Sequence, residues 1–84
     1  MYPSVIAVKP LDNYRLKITF ENDEVKCFDV NPYLEIGIFK KLKNKDFFRS
    51  VKVSFDSVEW DGGIDIDPEE LYEQSTYLEK LQRK

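Results

Sequence analysis

The side chains of this chain best suited to chemistry are carboxylates, which concentrate between residues 61 and 70. Hard cations such as Ca²⁺ require several oxygen ligands, but the spacing of these acids does not match an EF-hand loop. A structural role accounts for three of them: Asp61 shapes a turn, Asp67 caps a helix and Glu70 completes the capping box. We therefore predict no metal and no cofactor for the five acids of this segment: Asp61, Asp65, Asp67, Glu69 and Glu70.

Nucleophile and base chemistry is restricted by the composition. The chain has one cysteine, Cys27, and no histidine, which excludes an internal disulfide, Cys/His zinc sites and Ser-His or Cys-His dyads. A two-residue hairpin loop at Asn22-Asp23 would pair Ile18 with Cys27 and Phe20 with Val25, so the thiol is expected in the core. We predict no catalytic residue and expect a protein that is not an enzyme.

Charge is divided along the chain although the net charge is only −3. The segment Lys40 to Lys52 carries six basic residues and one acid, and the segment Val53 to Ser75 carries eight acids and no basic residue. These blocks either meet in the fold or face partners of opposite sign. The candidate interaction residues taken from the two blocks are Lys40, Lys41, Lys43, Lys45, Arg49, Trp60, Asp61 and Asp65.

Strands and turns must position these residues. At 84 residues the chain fits one domain, predicted over residues 1–74, with 75–84 as a helical extension or a frayed tail. Apolar residues between Pro3 and Pro10 favour a first strand, and Tyr14 to Glu21 alternates between apolar and polar residues. A second hairpin is predicted with its turn at Asp56-Ser57.

Short helical turns are predicted in the middle of the chain, first at Pro32 to Glu35 and then around residues 38–51, with aromatic residues inward and lysines outward. The strongest helix start is Asp67-Pro68, which predicts a helix over Pro68 to Glu73. The predicted class is α+β: a small antiparallel sheet of two hairpins plus an N-terminal strand, short helical turns and one C-terminal helix.

Several motifs in this order resemble a bacterial family of domains of unknown function, DUF2442. The resemblance implies a small α+β fold encoded beside another small protein, with a suggested role in toxin-antitoxin-like pairs, and it offers no catalytic residues to transfer. Asp23 departs from the family, which commonly has Gly in this turn. The motifs are P-x-V-x-x-V-x-P-L at Pro3 to Leu11, Y-R-L-x-I-x-F at Tyr14 to Phe20, F-D-V-x-P-Y-L at Phe28 to Leu34, G-x-F at Gly37 to Phe39 and W-D-G-G-I-D-I-D-P-E-E-L-Y at Trp60 to Tyr72.

The function expected from residues and resemblance together is protein-protein interaction, as an antitoxin-like or regulatory partner of a neighbouring gene's product or of a second copy. The alternative is a nucleic-acid-associated regulatory domain that uses Lys40 to Lys52 for phosphate contacts, with the interleaved Phe39, Phe47 and Phe48 stacking on bases. No stretch approaches the length of a membrane span, so a cytoplasmic location without membrane contact is expected.

Overall fold

The structure is a computed structural model and describes residues 2–77. It contains two antiparallel sheets with short helices between and after them, which confirms the α+β class. The four-stranded sheet has the order β1-β2-β3-β7 and the three-stranded sheet the order β4-β5-β6. The strands are β1 (Val5–Leu11), β2 (Arg15–Phe20), β3 (Val25–Asp29), β4 (Lys52–Ser54), β5 (Ser57–Trp60), β6 (Ile64–Asp65) and β7 (Thr76–Tyr77).

Alternation in β2 places its side chains as the sequence predicts. Leu16, Ile18 and Phe20 are buried, while Arg15 and Lys17 on the other face are exposed. Side chains of successive strand residues point to opposite faces, so this strand covers the core with one face and leaves the other to solvent.

The predicted register of β3 is wrong by one residue. Ile18 pairs with Lys26, and Cys27 pairs with Lys17 on the open face of the sheet. The cause is a three-residue turn instead of a two-residue loop: Asp23 N–H donates to Phe20 O at 2.9 Å, and Asp23 has φ +71°. A one-residue slip moves every side chain of a strand to the other face. Cys27 is therefore half-buried rather than in the core.

Two 3₁₀ turns (Asn31–Tyr33 and Gly37–Lys43) and the helix α1 (Lys45–Phe48) form the middle of the chain. Leu42 and Phe48 are buried and the lysines are exposed, as predicted. Asn44 caps α1 by accepting a hydrogen bond from Phe47 N–H at 3.0 Å. Trp60 lies in the core between this segment and the second sheet, and its indole N–H donates to Phe48 O at 2.8 Å.

The helix α2 (Pro68–Gln74) begins where the sequence predicts. The Asp67 carboxylate accepts a hydrogen bond from Glu70 N–H at 3.3 Å, and Ile66 and Leu71 both lie in the core. The Glu70 carboxylate does not complete the predicted capping box, because it instead accepts a hydrogen bond from the Tyr33 hydroxyl. The cap therefore fixes the start of the helix, and Glu70 ties the first turn to the middle segment.

The predicted helical extension does not begin after α2. Ser75 is extended, and Thr76 and Tyr77 form β7 beside Cys27 and Lys26. The remainder of the predicted extension, residues 78–84, lies outside the described residues. In residues 2–77, no helix is long and apolar enough to cross a membrane.

Candidate interaction surface

The tip of the β4-β5 hairpin presents a large apolar side chain to solvent. Ser54 pairs with Ser57, so the two-residue loop is Phe55-Asp56 and not the predicted Asp56-Ser57. Phe55 is 97% exposed and has φ +52°. A bulky residue in the left-handed region is an outlier that costs of order 1–3 kcal/mol. Neither the exposure nor the backbone conformation of Phe55 benefits the folded chain.

Acidic residues surround this tip. A shallow hollow of about 400 Å³ beside Phe55 is lined by acids from the loop, from β5 and β6 and from the start of α2. Glu59 pairs with Asp65 across β5 and β6, so both side chains share one face of the sheet. An exposed aromatic ring and four acids thus share one hollow at this end of the second sheet. We call these five residues the hairpin-tip surface: Phe55, Asp56, Glu59, Asp65 and Asp67.

The edge strand β1 extends the apolar part of this region. β1 lies beside β4, and Ser4 Oγ donates to Asp56 Oδ1 at 2.7 Å. A register irregularity between Val5 and Ala7 leaves Ile6 59% exposed, and Val53 on β4 is also exposed. Exposed apolar side chains grouped at one edge are typical of sites where proteins bind each other.

The predicted basic residues separate into paired and unpaired groups. Lys43 forms an ion pair with Glu35 at 2.8 Å, whereas Lys40, Lys41, Lys45 and Arg49 form none with residues 2–77. Lys52, from the same block, contacts Asp61 at 3.1 Å and Glu59 at 3.9 Å. The two charge blocks therefore meet through Lys52. Lys40 and Lys41 lie with Asp61 around an open hollow over Phe47.

Trp60 and Asp65, two of the sequence-predicted site residues, differ in their exposure to solvent. Trp60 is 1% exposed and its indole N–H is bonded inside the protein, so its side chain is not presented to a partner. Asp65 is exposed and belongs to the hairpin-tip surface. Among residues 2–77, no three His, Cys, Asp or Glu side chains converge as they do at a metal site.

A deeper hollow lies between the β1-β2 turn and α1. Its volume is about 520 Å³, and Lys45 and Arg49 line one wall. The opposite wall is the turn at Asp12-Asn13-Tyr14, in which Asn13 and Tyr14 have φ +64° and +59°. Tyr14 packs edge-on against Phe48 with ring centroids 5.2 Å apart, which gives the hollow an aromatic floor.

Sequence reasoning missed the buried lysine, Lys26. It is 4% exposed, its Nζ donates to Tyr72 O at 2.8 Å, and the same Nζ lies 3.6 Å from the centre of the Tyr72 ring and 4.6 Å from that of Tyr77. Burial lowers the pKa of Lys26, and Glu24 acts in the opposite direction. The sequence did contain a signal for this burial. Lys26, Phe28 and Val30 are spaced two residues apart, so in a strand Lys26 shares its face with two apolar residues.

Glu24 completes this cluster. Its carboxylate accepts hydrogen bonds from the Tyr72 hydroxyl at 2.5 Å and from the Tyr77 hydroxyl at 2.7 Å. Both hydrogen bonds lower the pKa of Glu24, and the bond from Tyr72 has the larger effect. The same bond raises the pKa of the Tyr72 hydroxyl. The cluster holds α2 and β7 against β3, which is a structural role.

Cys27 is not a reactive thiol. Burial raises the pKa of the Cys27 thiol, so the thiolate nucleophile is disfavoured.

Comparison with known proteins gives one match. The model of the family described as "Protein of unknown function (DUF2442)" matches residues 5–77. No curated protein and no solved structure is significantly similar to the chain.

Proposed function

Because the chain belongs to the DUF2442 family of proteins of unknown function, we propose from its own surface that it is a small, non-catalytic protein-interaction module whose hairpin-tip surface binds a protein partner. The observation that carries the proposal is Phe55, an aromatic side chain that is 97% exposed at a strained turn. Aromatic anchors that fill a pocket on the partner dominate the energy of many interfaces.

The charge of the surface defines the partner. Asp56, Glu59, Asp65 and Asp67 line the hollow beside Phe55, and Lys52 is the one cation paired with this group among the described residues. A partner with an apolar pocket rimmed by lysine or arginine would match both the ring and the acids. The role in toxin-antitoxin-like pairs that the family resemblance implies supports a small protein encoded by the neighbouring gene as the partner, and the acidic surface favours a basic one.

The test is co-expression of the chain with the neighbouring gene's product, followed by measurement of the affinity of the purified pair. Phe55→Gly should weaken binding by about 2 kcal/mol or more, roughly thirtyfold, because it removes the anchor. The same change relieves the positive φ, so the variant should be at least as stable as the native chain. Loss of binding then cannot be ascribed to unfolding.

Ile36→Ser is the matched control, because Ile36 is another exposed apolar residue, 54% exposed, in the middle segment. It should leave the affinity unchanged. An affinity for Phe55→Gly equal to that of the native chain would overturn the proposed surface. So would a loss of binding on charge reversal at Lys41, Lys43 and Lys45 with Phe55→Gly unaffected, since the basic segment would then make the contact.

The nucleic-acid alternative receives less support from the arrangement of the basic segment. Stacking on bases requires exposed aromatic rings, but Phe48 is buried and Phe39 and Phe47 pack against the core. Lys43 and Lys52 are paired with acids. A steep loss of affinity for labelled RNA or DNA with rising salt is the result that would favour this alternative.

A further inference from the structure

We propose that the hollow between the β1-β2 turn and α1, called the turn hollow below, binds a small phosphate ester with hydroxyl groups and a flat apolar ring, of the kind represented by a nucleoside monophosphate. None of its lining residues belongs to the hairpin-tip surface. The inference is therefore independent of the proposed protein partner.

The size of the turn hollow suits such a ligand. Its volume of about 520 Å³ lies within the roughly 300–1,000 Å³ that small-molecule sites occupy. Leu11 and Tyr14 are partly exposed and supply an apolar floor, and the buried Phe48 supports the Tyr14 ring edge-on from the core side. The floor offers a ring of the ligand a surface on which to pack.

Two basic side chains on one wall of the turn hollow are suited to bind the phosphate group of the ligand. Lys45 and Arg49 are four residues apart across the turn of α1, a spacing that places side chains on the same face of a helix. Both are exposed, and neither forms an ion pair with another residue in the described range 2–77. A guanidinium and an ammonium on one wall are suited to a phosphate group, which accepts charge-assisted hydrogen bonds from both.

The opposite wall is polar and contains an acid. Asp12, Asn13 and Asn31 line it, and a carboxylate accepts hydrogen bonds but cannot donate them when ionised. A simple anion would be repelled there. A ligand that carries hydroxyl groups at a distance from its phosphate would satisfy Asp12 while its phosphate faces the cations.

The turn that forms this wall is held in place from three sides. Asn31 Nδ2 donates to Asn13 O at 2.7 Å, Val30 N–H donates to Tyr14 O at 2.9 Å, and the Tyr14 hydroxyl donates to Lys43 O. Consecutive residues with positive φ, one of them a tyrosine, are costly, and such strain is concentrated at binding sites. A wall held so firmly is preorganised, which reduces the entropic cost of binding.

The test is titration of the full chain with AMP, adenosine and inorganic phosphate, followed by NMR. AMP should shift the amide signals of residues 11–14, 31 and 45–49 and bind more tightly than either fragment. Arg49→Gln should weaken AMP about tenfold or more, whereas Lys40→Gln, which removes an exposed lysine outside the turn hollow, should not. Equal affinity for AMP and inorganic phosphate would overturn the proposal.

A second variant tests the role of the acidic wall. Asp12→Asn removes a repulsive charge, so inorganic phosphate should bind more tightly, but it weakens an acceptor for hydroxyl groups, so AMP should bind less tightly. Tighter binding of both probes would overturn the assignment of Asp12. An oligonucleotide that shifts these signals when AMP does not would also overturn the proposal, in favour of nucleic acid.

Discussion

Lys26 combines features that few lysines share: a buried ammonium, two tyrosine rings and a backbone carbonyl as acceptor. The carbonyl belongs to Tyr72, in the last turn of α2, where the helix dipole favours a positive charge. The apolar stem fills space between β3 and α2 while the ammonium stays bonded. The charge is therefore part of the packing and is not available for a ligand.

Lys26→Met tests this role, since methionine keeps most of the apolar stem and removes the charge. We expect the free energy of unfolding to fall by about 1–2 kcal/mol. The substitution removes a charged hydrogen bond and two cation-π contacts, and the relief of the desolvation cost of the buried charge offsets part of that loss. Urea unfolding measures the change. Lys17→Met, on the open face of the neighbouring strand, is the control, and an equal effect of the two substitutions would contradict the assignment.

Glu24 should make the protein sensitive to acid. Hydrogen bonds from Tyr72 and Tyr77 lower its pKa below the ordinary 4.5, so the folded chain holds this proton less tightly than the unfolded chain does. The stability that Glu24 contributes is thus present above pH 4.5 and is lost as the pH falls through the lower, folded pKa.

The measurement is the melting temperature of the native chain and of Glu24→Gln from about pH 7 to about pH 3. We expect the native chain to be more stable at neutral pH and the difference to shrink in acid. Tyr72→Phe removes the principal hydrogen bond to Glu24 and should reduce this pH dependence. A difference that is constant over the whole range would show that the carboxylate charge is irrelevant.

At the scale of elements, the β2-β3 turn decides which residues reach the core. Asp23 adopts φ +71° at the position where the related family commonly has Gly. Replacement by Gly removes the steric cost of the left-handed region, so Asp23→Gly should raise the free energy of unfolding by about 0.5–1 kcal/mol. Chemical denaturation measures it as a higher midpoint with an unchanged slope.

The adjacent residue provides the control for this turn. Asn22 does not have a positive φ, and its side chain accepts a hydrogen bond from Glu24 N–H at 3.2 Å and donates to Glu24 Oε1 at 3.1 Å. Asn22→Gly should therefore destabilise the protein. If both glycine substitutions destabilise, the three-residue turn is not the conformation of this segment.

This turn also shows how far the sequence determines the fold. The alternation of Tyr14 to Phe20 and the Asp67-Pro68 helix start are local signals, and both elements form where those signals predict. The register of β3 depends on one extra turn residue, which Asn22-Asp23 does not distinguish from a two-residue loop. The face of Cys27 and the burial of Lys26 follow from that register, so the turn signal predicted neither, although Lys26 alternates in step with the apolar residues Phe28 and Val30.

The hairpin-tip surface was predicted only in part, and for a similar reason. The acidic block from Val53 to Ser75 marked Asp65 and the surrounding charge. The exposure of Phe55 depends on a turn placed one residue earlier than the sequence suggested. Trp60 was included as part of the acidic block, but a chain this small needs its largest side chain for the core.

At the scale of the whole molecule, tyrosine hydroxyls join segments that are distant in the sequence. Tyr2 donates to Glu73 at 2.6 Å, and Tyr33 donates to Glu70, so the N-terminal segment and the middle segment are both tied to α2. The pKa of Tyr2 is raised to about 12, mainly by the hydrogen bond to Glu73 and to a smaller extent by burial. The pKa of Tyr33 is also raised to about 12, mainly by burial and to a smaller extent by the hydrogen bond to Glu70.

Alkaline pH should loosen these ties, because the tyrosine hydroxyls lose the protons that they donate to the ionised carboxylates. The unfolded chain loses its phenol protons near pH 10.0, and the folded chain retains those of Tyr2 and Tyr33 up to about pH 12. The stability that the two hydroxyls contribute is therefore complete below pH 10.0 and is lost as the pH rises to about 12. Lys26 opposes this trend only below pH 10.5, because its lowered folded pKa means that the unfolded chain binds the Lys26 proton more tightly up to that pH.

Three proteins separate these contributions when unfolding is followed by circular dichroism over this alkaline range. Replacing Tyr2 and Tyr33 together by Phe removes two of the phenols whose pKa values are raised, so stability should decline less steeply than in the native chain. Lys26→Met removes the opposing lysine, so stability should decline more steeply below pH 10.5. If the double tyrosine variant declined as steeply as the native chain, the hydroxyl ties to α2 would not be what holds the distant segments together at high pH.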